Sequence, residues 1–246
     1  MYKFKTKPYD HQQDAFDKSW KRFGYALFME MGTGKTKVAI DTLGALYESE
    51  QVEAALIIAP KGVYGNWVNK EIPQHLPDRI DRKVVLWQPN LTQKFKAELR
   101  DVALRKASGK LRIFVMNTEA LSTKKGRDTA TRFLELNPDS YVVVDESTSI
   151  KNRNAQRTKN IIALGKLAKF RRILTGSPIT KNPMDLFAQC AFLGTKMLGF
   201  DSFYAFQGRY AVVQQRKFGA RSFQQVTGYR NLEELNGKLE QFSHRV

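Results

Sequence analysis

Six short apolar segments recur along the chain and predict β-strands. They are rich in β-branched and aromatic residues, and several are continuous apolar runs, such as ALIIA and YVVV, rather than alternating patterns. Continuous runs are typical of strands that are covered on both faces of a parallel sheet. The predicted strands are residues 25–30, 54–60, 83–87, 112–117, 141–145 and 171–175.

Helical patterns lie between these strands. Residues 37–47 follow the first strand directly, and residues 92–107 place Phe95, Leu99 and Val102 among charged residues at helical spacing. Alternation of strand and helix predicts right-handed crossovers and a doubly wound, mainly parallel α/β sheet with helices on both faces. Ligands of such sheets bind at the carboxyl ends of the strands.

The pattern changes after Pro183. Residues 184–193 and 232–242 predict helices, and residues 212–226 predict a two-stranded ribbon that turns near Gly219. Between residues 205 and 230 the chain has five basic residues, five aromatic residues and no acid. We therefore divide the chain into an α/β unit, 1–200, and a basic and aromatic extension of the same domain, 201–246.

Composition limits the class of protein. The 246 residues, 42% of them hydrophobic, are enough for one packed core. No apolar run approaches the roughly 18 residues of a membrane span, and the charged start MYKFKTKPYD does not look like a secretory signal. We expect a soluble cytoplasmic protein without a membrane partner, and no oligomer is implied. The single cysteine, Cys190, is expected to be buried and cannot form a disulfide within the chain.

The chain is strongly basic. It has 41 Lys and Arg against 24 Asp and Glu, a formal net charge of +17. Such a surface attracts polyanions, which makes a nucleic acid a candidate partner. A protein that is merely basic has the same composition, so charge alone leaves both interpretations open.

A glycine-rich turn lies between the first predicted strand and its helix. The sequence MGTGKT at 31–36 is typical of a phosphate-binding loop, in which backbone N–H groups surround phosphate oxygens. The lysine would neutralise the β and γ phosphates, and the threonine hydroxyl would ligate Mg²⁺. The full pattern has a glycine where this chain has Met29, which we interpret as a shortened loop. The predicted ATP contacts are Gly32, Thr33, Gly34, Lys35 and Thr36.

An acidic pair follows the apolar strand YVVV. Asp145 would hold Mg²⁺, and Glu146 would act as the general base that polarises the attacking water. Together with Lys35 they are the predicted catalytic residues. Strand-end solvation explains an acidic pair equally well when the pair is taken alone, and the phosphate-binding loop is what favours the catalytic interpretation.

The ordered blocks resemble the first RecA-like domain of superfamily-two helicases, a P-loop NTPase fold, and most closely its Swi/Snf-type DNA translocases. The resemblance covers nearly the whole chain. The blocks are PY and HQ within 8–12, EMGTGKT at 30–36, LIIAPK at 56–61 with NW at 66–67, NTEAL at 117–121, DE at 145–146 with IKN at 150–152, and LTGSPI at 174–179.

The resemblance implies roles for further residues. Gln12 would read the adenine edge, with Gln13 as the rival for that role. Lys61, Asn66 and Thr118 would contact a DNA strand. The block that contains Thr175 and Ser177 would couple the state of ATP to DNA movement.

Two departures from the family pattern matter. Ser147-Thr148 stands where the family often has Ala-His or Ala-Gln, and the hydroxyl of Thr148 could replace the missing relay side chain. The second RecA-like domain, which supplies arginines to the γ-phosphate, has no counterpart in this chain. We therefore expect a partner RecA-like domain in cis and poor ATP hydrolysis by this chain alone.

Two basic segments are candidates for nucleic-acid contacts that do not depend on base sequence and weaken with salt. The ribbon offers Arg216, Lys217 and Arg221, and Arg209, Tyr210, Phe218, Phe223 and Arg230 belong to the same segment. Its alternative is a hairpin whose aromatic residues pack on the core. The second segment, Lys124, Lys125 and Arg127, is expected in a loop after Thr118.

The leading hypothesis is the Mg-ATP-binding domain of a DNA-dependent ATPase that translocates on double-stranded DNA. A strand-separating helicase and a DNA-binding module with a vestigial nucleotide loop are its alternatives. A small-molecule kinase is disfavoured, because it leaves the LTGSPI block and the charge unexplained. The IKN tail favours DNA over RNA through the family likeness.

Overall fold

The computed structural model describes residues 2–90, 92–103, 109–179, 182–194, 196–218 and 221–246, without the side chains of residues 218 and 221. A seven-stranded sheet forms its centre, in the order β3-β4-β2-β5-β6-β1-β9, and every neighbouring pair is parallel. The strands are β1 Gly24–Phe28, β2 Ala54–Ala59, β3 Arg82–Leu86, β4 Leu111–Asn117, β5 Ser140–Asp145, β6 Phe170–Leu174 and β9 Ser243–Arg245.

The six predicted strands are confirmed as β1 to β6, with ends that differ by at most two residues. β2 is buried along its whole length and β5 is buried up to Asp145, which explains why their sequences are uninterrupted apolar runs. β9 was not predicted. It has only three residues, and it pairs with β1 through Ala26 and Ser243.

Helices flank the sheet in two packed groups. In one group α2 contacts both α1 and α4, and in the other α7 contacts both α6 and α8. The helices are α1 Asp10–Ser19, α2 Lys35–Glu48, α3 Tyr64–Asn66, α4 Ile72–His75, α5 Gln93–Ala103, α6 Lys124–Glu135, α7 Gln156–Gly165, α8 Asp185–Leu193, α9 Phe203–Tyr210 and α10 Leu232–Glu240. A π-helical turn, Trp67–Glu71, joins α3 to α4. The doubly wound α/β prediction is confirmed.

The expected loop at Lys124, Lys125 and Arg127 was wrong. These residues form the first turn of α6, whose N-cap, Thr123, accepts a hydrogen bond from the backbone N–H of Gly126 at 3.0 Å. A threonine at this position satisfies an N–H group that the helix itself leaves unpaired. The predicted helix at 92–107 is present as α5, and residues 104–107 lie outside the described part of the chain.

The buried hydrophobic residues of the sheet and of both helix groups form one continuous core. Cys190 is 1% exposed, in agreement with its predicted burial. Within the described ranges, no helix is both long and apolar enough to cross a lipid bilayer.

The predicted ribbon is present as β7 Ala211–Phe218 and β8 Arg221–Tyr229, an antiparallel pair. Its expected turn at Gly219 lies outside the described residues. The base of the ribbon is anchored, because the N–H of Arg230 donates to the carbonyl of Tyr210 at 3.0 Å and the Asn231 amide donates to the carbonyl of Arg209 at 2.8 Å. Val213 and Val226 pack against the core, and the part beyond them is exposed.

Candidate nucleotide-binding site

Three neighbouring strands, β5, β6 and β1, carry the candidate site at their carboxyl ends. Asp145 ends β5, the LTGSPI block begins at the end of β6, and the glycine-rich loop follows β1. Because the strands are parallel, three segments that are distant in sequence meet at one edge of the sheet.

Two glycines shape the loop. Gly32 and Gly34 have φ of 83° and 87°, in the left-handed region where other residues are strained. A Cβ on Gly34 would also lie 2.3 Å from Nε2 of Gln12. Gly34 is the N-cap of α2, so Lys35 and Thr36 begin that helix and are only half-buried. The first turn of α2 contains no acid, and its N–H groups and dipole favour an anion there.

Gln12 contacts the loop directly, whereas Gln13 does not share this contact. The Gln12 side chain donates to the carbonyl of Thr33 at 2.9 Å and accepts from the N–H of Tyr9 at 3.1 Å, and it is 5% exposed. Gln13 instead donates to Asp17 on the surface of α1. The structure therefore brings Gln12, the preferred candidate, to the loop.

Asp145 is held through both of its oxygens. The indole N–H of Trp67 donates to Oδ2 at 2.9 Å, and the backbone N–H of Glu146 donates to Oδ1 at 3.0 Å. Burial raises the pKa of Asp145, while the Trp67 hydrogen bond and the ammonium of Lys35 act to lower that pKa. Lys35 and Asp145, the two groups expected to share a nucleotide, thus lie within electrostatic reach of each other.

The carboxylate of Glu146 accepts hydrogen bonds from the hydroxyl groups of two different segments. Thr148 donates to Oε1 at 2.8 Å, and Thr175 donates to the same oxygen at 2.7 Å. The backbone of Glu146 is left-handed, with φ of 50°, a conformation that costs energy for a residue with a side chain. Strained backbone of this kind occurs at functional sites, where the surrounding contacts hold it in place.

The block after β6 packs against the loop. A Cβ on Gly176 would lie 3.4 Å from both the carbonyl of Met29 and the N–H of Met31. The N–H of Ser177 donates to the hydroxyl of Thr175 at 3.2 Å. The candidate coupling residues Thr148, Thr175 and Ser177 are therefore connected by hydrogen bonds that pass through Oε1 of Glu146.

The candidate DNA contacts after β2 and β4 share this edge of the sheet. Lys61 and Asn66 are exposed in the segment after β2. Thr118 is only 1% exposed, and its hydroxyl has no hydrogen-bond partner in the described part of the chain. A side-chain contact between Thr118 and a phosphate would therefore require the residues around the end of β4 to move and expose the Thr118 hydroxyl.

The ribbon candidates divide into exposed and structural residues. Arg216 and Lys217 are exposed, and the side chain of Arg221 lies outside the described part of the structure. Phe223 is 50% exposed, so the alternative in which the aromatic residues pack on the core is wrong for Phe223. At the base, Arg209 and Tyr210 both bind Glu234, and the Arg230 guanidinium donates to the carbonyl of Gly208.

Two contacts were not foreseen from the sequence. The ring of His11 lies 2.8 Å from the carbonyl of Thr33, and Trp67 reaches Asp145 from a position 78 residues away. Both residues belong to blocks of the family resemblance, HQ and NW, and these blocks were the only sign in the sequence that His11 and Trp67 lie near the site. The identity of their partners depends on how the strands are ordered.

Comparison with known proteins places the chain in a family. The family described as "SNF2-related domain" matches residues 15–242. The Bos taurus protein "DNA annealing helicase and endonuclease ZRANB3" is 29% identical over 243 residues, which cover 96% of this chain and 20% of the relative. The Arabidopsis thaliana protein "ISWI chromatin-remodeling complex ATPase CHR17" is 30% identical over 195 residues, 76% of this chain and 17% of the relative.

The structure of the "Sulfolobus solfataricus SWI2/SNF2 ATPase core in complex with dsDNA" superposes with a TM-score of 0.71 at 24% identity, over 100% of this chain and 45% of that one. This likeness confirms the RecA-like fold. The chain spans about a fifth of the length of the curated relatives that it matches. The family match over residues 15–242 confirms the Swi/Snf-type resemblance, and the chain belongs to the SNF2-related domain family.

Proposed function

We propose that this chain is the ATP-binding domain of a DNA-dependent ATPase that translocates on double-stranded DNA. The observation that carries the proposal is the position of Glu146. Its carboxylate accepts hydroxyls from Thr148 and Thr175, next to a loop that presents a helix N-terminus. A carboxylate fixed beside an anion site is what the hydrolysis of a phosphoanhydride requires.

ATP and Mg²⁺ fit the residues at this edge. The N–H groups of Gly32 and Gly34 and the ammonium of Lys35 would bind the phosphates, while Gln12 would face the adenine. The N–H of Thr33 donates to the carbonyl of Glu30 at 3.3 Å and would exchange that partner for a phosphate oxygen. Mg²⁺ would be held by Thr36 and Asp145, and it would neutralise charge on the phosphate oxygens. Within the described part of the chain, Asp145 accepts one hydrogen bond at each oxygen. A carboxylate has about four lone-pair sites, so capacity for a metal or its water remains.

Asp145 and Glu146 have separate roles in the proposed chemical step: Asp145 would hold Mg²⁺, and Glu146 would be the general base. Glu146 would take a proton from the attacking water as the water oxygen bonds to the γ-phosphorus and the bond from that phosphorus to the bridging oxygen of ADP breaks. Thr148 and Thr175 fix the carboxylate through Oε1 and leave Oε2 to accept the proton. Thr148 thereby replaces the relay side chain that the family often has. Any movement of the Thr175–Ser177 segment changes the orientation of Glu146, which links hydrolysis to the movement of the domain.

A second RecA-like domain in cis completes the enzyme in this proposal. Its arginines would stabilise charge on the transferring phosphoryl group, a contribution of about 10³ to 10⁵ in rate in related chemistry. Residues 201–246 act as an extension of the first domain that leads towards the second. This chain alone then binds ATP but hydrolyses it slowly.

Double-stranded DNA is the proposed track. The net charge of +17 attracts a polyanion, and a solved structure of similar fold is a complex with dsDNA. Lys61 and Asn66 are exposed at the edge that carries the nucleotide site, and Arg216 and Lys217 offer a second surface. These side chains would contact phosphates, so binding is independent of base sequence and decreases with salt.

The test compares two lysine variants of this chain. Lys35→Ala should weaken Mg-ATP binding by about 100-fold, because a charge-assisted hydrogen bond contributes about 1.5–3 kcal/mol and Lys35 would donate at least one to a phosphate oxygen. Lys61→Ala removes the same charge from an exposed position and should weaken only DNA binding. Nucleotide titration by calorimetry and duplex binding by fluorescence anisotropy measure the two affinities. Unchanged nucleotide affinity in Lys35→Ala would refute the site.

A strand-separating helicase is the second candidate, and the exposed ring of Phe223 favours it. Aromatic side chains stack on unpaired bases, and Phe223 is 50% exposed on a ribbon that projects beyond its anchored base. Strand displacement and triplex displacement by a longer chain that includes a second RecA-like domain discriminate between the two candidates. Displacement of a triplex strand without separation of a duplex supports translocation.

A further inference from the structure

Trp67 joins two parts of the molecule that the proposed function assigns to different ligands. Its indole N–H donates to Oδ2 of Asp145 at 2.9 Å, and Trp67 itself is 2% exposed. The preceding residue, Asn66, is exposed. A buried contact with the proposed metal ligand therefore lies directly beside a side chain that faces solvent on the proposed DNA surface.

The segment that carries Trp67 is short and tied to the end of β2. The N–H groups of Val63 and Tyr64 both donate to the carbonyl of Pro60, at 2.9 and 3.0 Å. The chain then passes through α3 into the π-helical turn that begins at Trp67. π-helical turns are rare and are frequently found at functional sites. The N–H of Asn66 in turn donates to the carbonyl of Val63 at 2.9 Å, so a displacement of Lys61 or Asn66 would reach Trp67 through this segment.

The hydrogen bond also has a definite effect on the carboxylate. Tryptophan is a donor without acceptor capacity, so Oδ2 of Asp145 must act as an acceptor, which favours the ionised carboxylate. The other oxygen is held by the backbone N–H of Glu146. Since the two bonds come from different segments, a shift of Trp67 relative to β5 rotates the carboxylate. A hydrogen bond to a metal ligand, from a residue that does not itself touch the metal, orients that ligand.

We propose that Trp67 is a positioning residue that couples DNA contact at residues 61–66 to the orientation of Asp145. The inference rests on the proposed function, because it requires both ligands to bind where that function puts them. Coupling of this kind is reciprocal: duplex DNA strengthens nucleotide binding by the factor by which nucleotide strengthens DNA binding.

The ratio of two affinities measures the coupling. We would titrate this chain with a non-hydrolysable fluorescent ATP analogue and Mg²⁺, with and without a saturating blunt duplex. The wild-type chain should bind the analogue about 5-fold or more tightly with DNA present, the lower end of typical couplings. In Trp67→Phe, which keeps a ring and loses the N–H, the ratio should fall close to one. A merely structural role would change both affinities together and leave the ratio intact.

Trp87→Phe is the matched control. Trp87 is also buried, at 3% exposure, but it packs against Phe95 and Phe114 at the β3 edge of the sheet. The same substitution there should leave the ratio at its wild-type value. If Trp67→Phe does not fold, replacement of Trp67 by benzothienylalanine keeps the bicyclic shape, lacks the N–H and should abolish the coupling.

The outcomes separate the inference from the proposed function. A wild-type ratio in folded Trp67→Phe, or in the benzothienylalanine protein, overturns the role of Trp67. A ratio of one in the wild-type chain, with both ligands bound, overturns the coupling and leaves the nucleotide site intact. A wild-type chain that does not bind the analogue at all contradicts the proposed function itself.

Discussion

The carboxyl edge of the sheet and the β7–β8 ribbon place polar side chains in opposite environments. At the edge, Thr175 is fully buried and Glu146 is held by two hydroxyls. On the ribbon beyond Val213 and Val226, Arg216, Lys217 and Phe223 project into solvent on a two-stranded support. One region fixes its groups before any ligand arrives, whereas the other presents groups that adjust to a ligand.

The difference corresponds to two kinds of chemistry. The proposed hydrolysis requires a carboxylate held in a definite orientation, and the backbone of Glu146 is held in a left-handed conformation that costs energy. Contact with a phosphate backbone requires only positive charge within reach, since the partner is uniform and its attraction acts over several ångströms. We therefore expect substitutions at the edge to affect turnover and stability, and substitutions on the ribbon to affect DNA affinity alone.

The largest effect is expected from Glu146→Gln. The amide keeps the shape of the side chain and still accepts hydrogen bonds from Thr148 and Thr175, but it cannot take a proton. DNA-stimulated ATP turnover by a longer chain that includes a second RecA-like domain should fall by about 100-fold or more, the range of general-base catalysis. The affinity of this chain for Mg-ATP should remain near that of the wild type.

Glu119→Gln is the control for Glu146→Gln. Glu119 is an exposed carboxylate that follows β4 at the same edge of the sheet. Its substitution should leave turnover unchanged, as measured by phosphate release. Equal losses in the two variants would indicate a general electrostatic effect and contradict the assignment of Glu146 as the base.

The sequence predicts which strands and loops form the carboxyl edge of the sheet better than it predicts the side-chain contacts between those loops. β1, β2, β4, β5 and β6 are recovered because most of their residues are buried, which imposes apolar runs such as AALIIA in β2. β3 is mostly half-buried, and its β-branched residues Val84 and Val85 are what predict it. The loop and the acidic pair lie at the same edge, as expected from their positions after two strands of a parallel sheet. Their roles stay predictions, made from the residue types that phosphate and metal chemistry require. β9 has only three residues, too few to impose a pattern.

Contacts between distant segments were beyond sequence reasoning. The bond from Trp67 to Asp145 depends on β2 lying next to β5, an order that local periodicity does not reveal. The burial of Thr118 was missed because a hydroxyl at a strand end can point to either side. On the ribbon, alternation of residues did not reveal that the described side chains beyond Val213 and Val226 are exposed on both faces, and Phe223 lies in that exposed part.

A smaller effect is expected when one hydroxyl is removed from each region. Thr175→Ala removes a buried donor from Glu146 and should lower the free energy of unfolding by about 1–3 kcal/mol. Thr227→Ala makes the same chemical change on the exposed ribbon, where Oγ1 lies 3.4 Å from the carbonyl of Val212, and should change stability by less than about 0.5 kcal/mol. Urea denaturation measures both. Equal stability changes would mean that the edge is no more constrained than the ribbon.

The smallest and most specific effect is expected from Arg216→Ala combined with Lys217→Ala. The dependence of duplex affinity on salt should decrease by about two units of slope, because each phosphate contact contributes about one. Lys94→Ala with Lys96→Ala removes the same charge from the exposed face of α5 and serves as the control. Anisotropy titrations at several salt concentrations measure the slope. If both pairs reduce it equally, the ribbon contributes only net charge, and the contrast between a fixed edge and a DNA-contacting ribbon fails.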